Sequence, residues 1–187
     1  MDTDGFWTLV ESSAAGDLPC TRADRLTDRL AGLPLPEVLD FQLRLDEARA
    51  PLDTPATLAV AKLVLRGRVS DDSLWYFHAW LIGLGQDAHH LAVHDPDALA
   101  GHPALRRLAA LPYRRWENHD FPDWESVDYC AQEAYERLTG EEDGLEEAME
   151  AIGHDSPCNA GFADPAWTSE ESAARLPRLT ALFADAG

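Results

Sequence analysis

The chain of 187 residues is short of positive charge, with 15 Lys and Arg against 34 Asp and Glu. The formal net charge is −19. A field of that sign repels nucleic-acid phosphates and anionic lipid surfaces. No nucleic acid and no membrane is therefore expected among the partners, and a basic or mixed-charge protein is. Long apolar runs are missing too, so no segment reads as a membrane span. The N-terminal MDTDGFW has no basic-then-apolar leader pattern, and a cytoplasmic protein is the expectation. Cysteine is scarce. Cys20, Cys130 and Cys158 are an odd number with no CxxC pair, which argues against a disulfide framework or a zinc ribbon and for buried or idle thiols. Alternating strand patterns, internal repeats and the GxSxG, P-loop and GxGxxG frames are all absent.

What is present is helical punctuation. The stretch 70–85, SDDSLWYFHAWLIGLG, has Ser70 as an N-cap and Asp71 and Asp72 at the positive end of the helix dipole. Leu74, Trp75, Tyr76, Phe77, Trp80, Leu81 and Ile82 cover nearly every face, which predicts a helix buried on most sides. Gly83 and Gly85 supply its end. Just upstream, Thr54-Pro55 opens ATLAVAKLVLR, which stops at Gly67. Two apolar helices at about 55–66 and 70–84, joined by a few residues, are expected to pack as an antiparallel core pair.

Around them, Phe6 to Val10, Leu26 to Leu33, Val38 to Leu45, Leu105 to Leu111 and Val127 to Leu138 repeat apolar residues at helical spacing. Asp95-Pro96 starts a short turn, and 112–123 reads as a loop whose Tyr113, Trp116 and Phe121 lie over the core. Glu141 to Glu150 frame a weak helix, 153–168 look irregular, and a helix from Ser169 must kink or split at Pro177. The expected architecture is all-α: a compact multi-helix single domain over 1–187, with 141–187 an acidic C-terminal part ending in a short helix. Residues 118–187 carry 17 acids against three arginines.

Chemistry has several candidate seats. His90 and His94 share a helix face with His89 adjacent, but HExxH is absent and zinc needs three or four ligands. A surface cluster, with no metal and no cofactor, is the favoured reading. Asp71 and Asp72 read as dipole partners before they read as a proton-transfer pair. Asp72, Tyr76, His78 and Trp80, with Tyr129 and Glu133 one turn apart on a later helix, are the pocket candidates; the alternative for the aromatics is filled core, with His78 satisfied by a neighbour. Glu141, Glu142, Glu146 and Glu147 are the candidates for an interaction surface, set against a merely solvated acidic face.

DGFWTLVE, SDDSLWYFHAWLIGLG followed by DPDAL, YCAQEAYERLTGEE and RLPRLTALF occur in that order. Together they resemble the domain of unknown function family 4240 over nearly the whole chain. The positions that fit are Phe6, Trp7, Asp72, Phe77, Trp80, Leu81, Gly85, Asp95, Pro96, Glu133, Tyr135 and Gly140. His89-His90 departs from the pattern, and 51–57 is poorer in aromatics than it. The resemblance implies a small helical domain with no activity set at family level, so it carries over no catalytic residue. Two functions compete: a non-enzymatic interaction or regulatory module with an acidic surface, of which an acidic inhibitor or immunity-type protein is one form, and an enzyme or small-molecule binder with its pocket at the start of the central helix.

Overall fold

The computed structural model describes residues 1–14, 21–155, 157 and 166–184. All regular structure among them is helical. The helices are α1 Thr3–Ser13, α2 Arg22–Leu30, α3 Leu35–Arg49, α4 Pro55–Val64, α5 Asp71–Gly83, α6 Gln86–His94, α7 Pro103–Ala110, α8 Val127–Thr139, α9 Gly144–Ala151, α10 Ser169–Arg175 and α11 Pro177–Ala184. Short 3-10 turns occupy Ala50–Leu52, Pro96–Gly101, Tyr113–Arg115 and Asn118–Asp120.

The starts follow the caps written in the sequence. Asp2, Thr21, Thr54, Ser70 and Thr168 each accept a bond from a first-turn amide, which removes one of the orphan donors at a helix start. Ser70 and Ser73 form a reciprocal capping box. The final helix splits at Leu176, immediately before Pro177, because proline can begin a helix but not continue one. Gly140 closes α8 in the left-handed conformation, its N–H donating 2.7 Å to the Glu136 carbonyl. The end of α5 differs from expectation. Gly83 is a buried helical residue, Leu84 is the C-cap, and Gly85, at φ +103°, starts α6. That helix over 86–94 carries a weak apolar signal because its buried face is made of Ala88 and Ala92.

The contacts divide the chain into two compact units. The first draws on Met1–Arg49 and Trp124–Cys158, the second on Ala50–Asp123 and Asn159–Gly187. In the first, α2 and α3 pack on α8, with α1 on α2 and α3, and α9 on α8 and α3. Phe6, Val10, Leu26, Leu30, Phe41, Leu45, Val127 and Met149 form its interior. The Phe6 and Phe41 rings meet at 5.4 Å. In the second, α4 contacts α5, α7 and α11, and the Pro96–Gly101 turn touches α4, α6, α7 and α11. Leu58, Val64, Phe77, Leu81, Ile82, Leu99, Leu105 and Leu179 fill it. Helix α5 is buried through Leu74, Phe77, His78, Ala79, Leu81 and Ile82, while Trp75, Tyr76 and Trp80 are half-buried and Asp71 and Asp72 are exposed. The loop aromatics do converge: Tyr113, Trp116 and Phe121 contact one another with centroids 4.9 to 6.0 Å apart.

Candidate functional site

The start of α5 belongs to the second unit. Asp72 stands exposed in the first turn behind the Ser70 cap, where the helix dipole favours it. Tyr76 lines a small cavity of about 80 Å³ with Leu65, Ser73, Phe121, Pro122 and Asp123. Small-molecule sites usually run to several hundred Å³, so this space suits a few waters rather than a substrate. His78 is buried and does not line it, and Trp80 stacks on Phe77 at 5.4 Å. The other two pocket candidates lie in the first unit. Tyr129 is 51% exposed. Glu133 is exposed on α8, 3.4 Å from the Thr27 hydroxyl that donates to it and 4.0 Å from the Arg137 guanidinium.

His90 and His94 form a ring pair at 4.4 Å on an exposed face of α6. Among the described residues no group of three or more His, Cys, Asp or Glu side chains is placed to hold a metal ion. Cys130 is buried on α8, its thiol donating to the Ser126 carbonyl at 3.3 Å, and burial pushes it up to about 11. Cys20 and Cys158 lie outside the described residues.

The acidic candidates are all on the surface. Glu141 and Glu142 follow the Gly140 cap, and Glu146 and Glu147 begin α9; all four are exposed, as are Asp143 and Glu150. No Lys, Arg or His occurs between Leu138 and Gly153. Helix α9 is seated from beneath by Leu145 and Met149 and by Gly144, where a Cβ would come within 2.6 Å of the Tyr135 ring. At its C-terminal end Gly153 turns left-handed and His154 N–H donates 3.0 Å to the Met149 carbonyl. His154 Nε2 then lies 2.8 Å from Asp46 Oδ2, while Gln42 donates to Asp46 Oδ1 at 3.0 Å. Burial pushes the Asp46 carboxyl above its ordinary range, against the opposing pull of His154 and Arg49. Arg49 in turn pairs with Asp128. This Asp46–His154 pair was not legible in the sequence, since 108 residues separate the partners. The three exposed large hydrophobics of the described chain are Tyr129, Leu138 at 42% and Ile152 at 54% exposure, and all lie on α8 or just past α9.

A second long-range pair positions the C-terminal helix. Pro177 lacks an N–H, so the next two amides are the orphans of α11. Asp97 receives both: Leu179 N–H at 2.9 Å on Oδ1 and Arg178 N–H at 3.2 Å on Oδ2. The Arg178 side chain also reaches Asp97 and Asp95. The DPD of the central block is thus a remote cap for the RLPRL block.

The sequence profile of the DUF4240 family, described as protein of unknown function, matches residues 1–137. The chain belongs to that family. The matched span takes in α1 to α7 and most of α8, and includes the DPD turn and Glu133. It stops short of Gly140, of the acidic segment 141–150 and of α9 to α11, so the family match is narrower than the near-complete resemblance expected from the ordered blocks. No curated protein and no solved structure matches the chain. Among the described residues no helix is long and apolar enough to cross a membrane.

Proposed function

We propose that this member of the DUF4240 family is a non-enzymatic protein-interaction or regulatory module. Its partner is a basic or mixed-charge protein, engaged through the surface of α8 and α9. The observation that carries the reading is the unbalanced negative charge of one exposed stretch. The carboxylates of Glu141, Glu142, Asp143, Glu146, Glu147 and Glu150 are exposed with no cation in 138–153. Unbalanced charge steers encounter over a Debye length of about 8 Å in physiological salt. Nucleic acid and anionic membranes are repelled by the same field, and the setting we assign is the cytoplasm. No cofactor enters this function.

The test starts with cross-linking and mass spectrometry to identify a bound protein. Glu141, Glu142, Glu146 and Glu147 are then changed to Gln, and association is followed in low and high salt. The expected result is a fall in association rate at low salt, with an unchanged melting temperature. An unchanged rate would reject α9 as the docking surface.

A further inference from the structure

The acidic chain also displays a small surface of opposite sign. Between Ala98 and Trp116 there is no Asp or Glu, while Arg106, Arg107, Arg114 and Arg115 are all exposed. In a chain with more than two acids for each base, surface arginines ordinarily find a carboxylate. Of the 15 basic side chains, only Lys62, Arg106, Arg114 and Arg115 make no hydrogen bond, ion pair or ring stack among the described residues. Three of these four fall on α7 and the turn after it. Arg107 serves structure, bonded to buried Asp120 at 2.6 Å.

The turn that carries Arg114 and Arg115 is held firmly. Arg115 N–H donates to the Pro112 carbonyl at 2.8 Å, and Trp116 N–H to the Tyr113 carbonyl at 3.1 Å. Trp116 is buried beneath, with its indole N–H on the Leu111 carbonyl at 3.3 Å. Tyr113 and Phe121 pack on its ring. Arg68, from the turn between α4 and α5, lies over the Tyr113 ring at 4.6 Å. Its positive head therefore adds to that of Arg114 and Arg115. Of the acids that follow the turn, buried Asp120 is taken by Arg107, while Glu117 and Asp123 are exposed.

We infer that the turn at Tyr113–Arg115, with Arg68 beside it, is a docking surface for a short carboxylate-bearing segment of a partner protein. Guanidinium forks bind carboxylates in a bidentate manner, and a turn already fixed by Trp116 loses little freedom on binding. A peptide with a few Asp or Glu residues spans only this patch. A long polyanion extends beyond it into the field of the remaining chain, which disfavours nucleic acid as the occupant. This surface belongs to the second unit and to the family-matched span, and the acidic segment belongs to the first unit.

The probe is fluorescein-labelled hexaglutamate, titrated with the full chain in low salt and followed by anisotropy, with oligothymidylate as the competing polyanion. Saturable binding that weakens as salt is added is expected. The double variant Arg114→Gln, Arg115→Gln is expected to bind about tenfold more weakly, the loss of roughly one charge-assisted hydrogen bond. Arg29→Gln, which removes a positive charge on α2, should change binding less than about twofold. All variants are checked by circular dichroism for an unchanged melt. Absence of saturable binding by the parent chain, equal weakening by Arg29→Gln, or tighter binding of oligothymidylate than of hexaglutamate would overturn the assignment.

Discussion

Replacing Asp97 with Ala tests how the C-terminal helix is held. Asp97 is 7% exposed and accepts from the Leu179 and Arg178 amides and from Arg178 Nε at 2.9 Å. Leu179 is fully buried, so without Asp97 its N–H has no water to turn to. Leaving such a donor unsatisfied costs about 1–3 kcal/mol, and losing a cap about 1 kcal/mol. Arg178 contributes less, because its side chain is mostly in solvent and a half-exposed ion pair is weak. The expected loss is about 2–4 kcal/mol. For a chain of this size that lowers the melting temperature by about 5–15 °C. Asp97→Asn retains an acceptor for Leu179 and should lose only about 1 kcal/mol. Burial pushes the Asp97 carboxyl up, but the bonds from Leu179 and Arg178 outweigh it and hold the group below its usual range. A carboxyl depressed in the folded state stabilises above its unfolded value, near about 4, and loses that contribution as pH falls through the folded value. The gap between parent and Asp97→Ala should therefore be full at neutral pH and narrow in acid. Differential scanning calorimetry across pH measures it. A gap under about 1 °C at neutral pH would refute the remote-cap reading, and a gap that stays constant into acid would refute the part assigned to the charge.

Three further outcomes are expected. Gly144→Ala should destabilise by about 1–3 kcal/mol, because its Cβ would press on the Tyr135 ring and on Glu141; urea unfolding gives the value, and an unchanged midpoint would show that α9 can shift. Trp80→Ala should cost about 2–3 kcal/mol, below the full range for buried aromatics since Trp80 is half-buried against Phe77; a thermal melt equal to the parent's would show that its packing contributes nothing. In a Cys20→Ser, Cys158→Ser background, Cys130 should react slowly with a thiol reagent at mildly alkaline pH and fast in denaturant, because burial pushes its thiol up to about 11; a native rate equal to the denatured one would place the thiol at the surface.

The local signals in the sequence were enough for the helices. Caps such as Ser70 and Thr54, prolines at 55, 103 and 177, and apolar spacing act within one or two turns of the chain, so they are readable without a fold. Where the apolar signal was small, as for the alanine-faced helix α6, only the His90/His94 spacing marked a helix. The charge imbalance of 118–187 was likewise a property of composition. Tertiary structure alone decided which acids carry structure and which are left for solvent. Asp97 and Asp46 look in sequence like any other carboxylate. They are buried because α11 and His154 arrive from 81 and 108 residues away and supply the donors that make burial tolerable. Glu141, Glu142, Glu146 and Glu147 meet no such donor and stay in water. The same holds for cations: Arg22 is half-buried because the end of α1 gives it the Val10 carbonyl at 2.8 Å and Trp124 gives it a ring face at 3.9 Å, whereas Arg114 and Arg115 find neither. Whether a charged side chain is structural or available depends on partners distant in sequence, and residue type and spacing do not encode those.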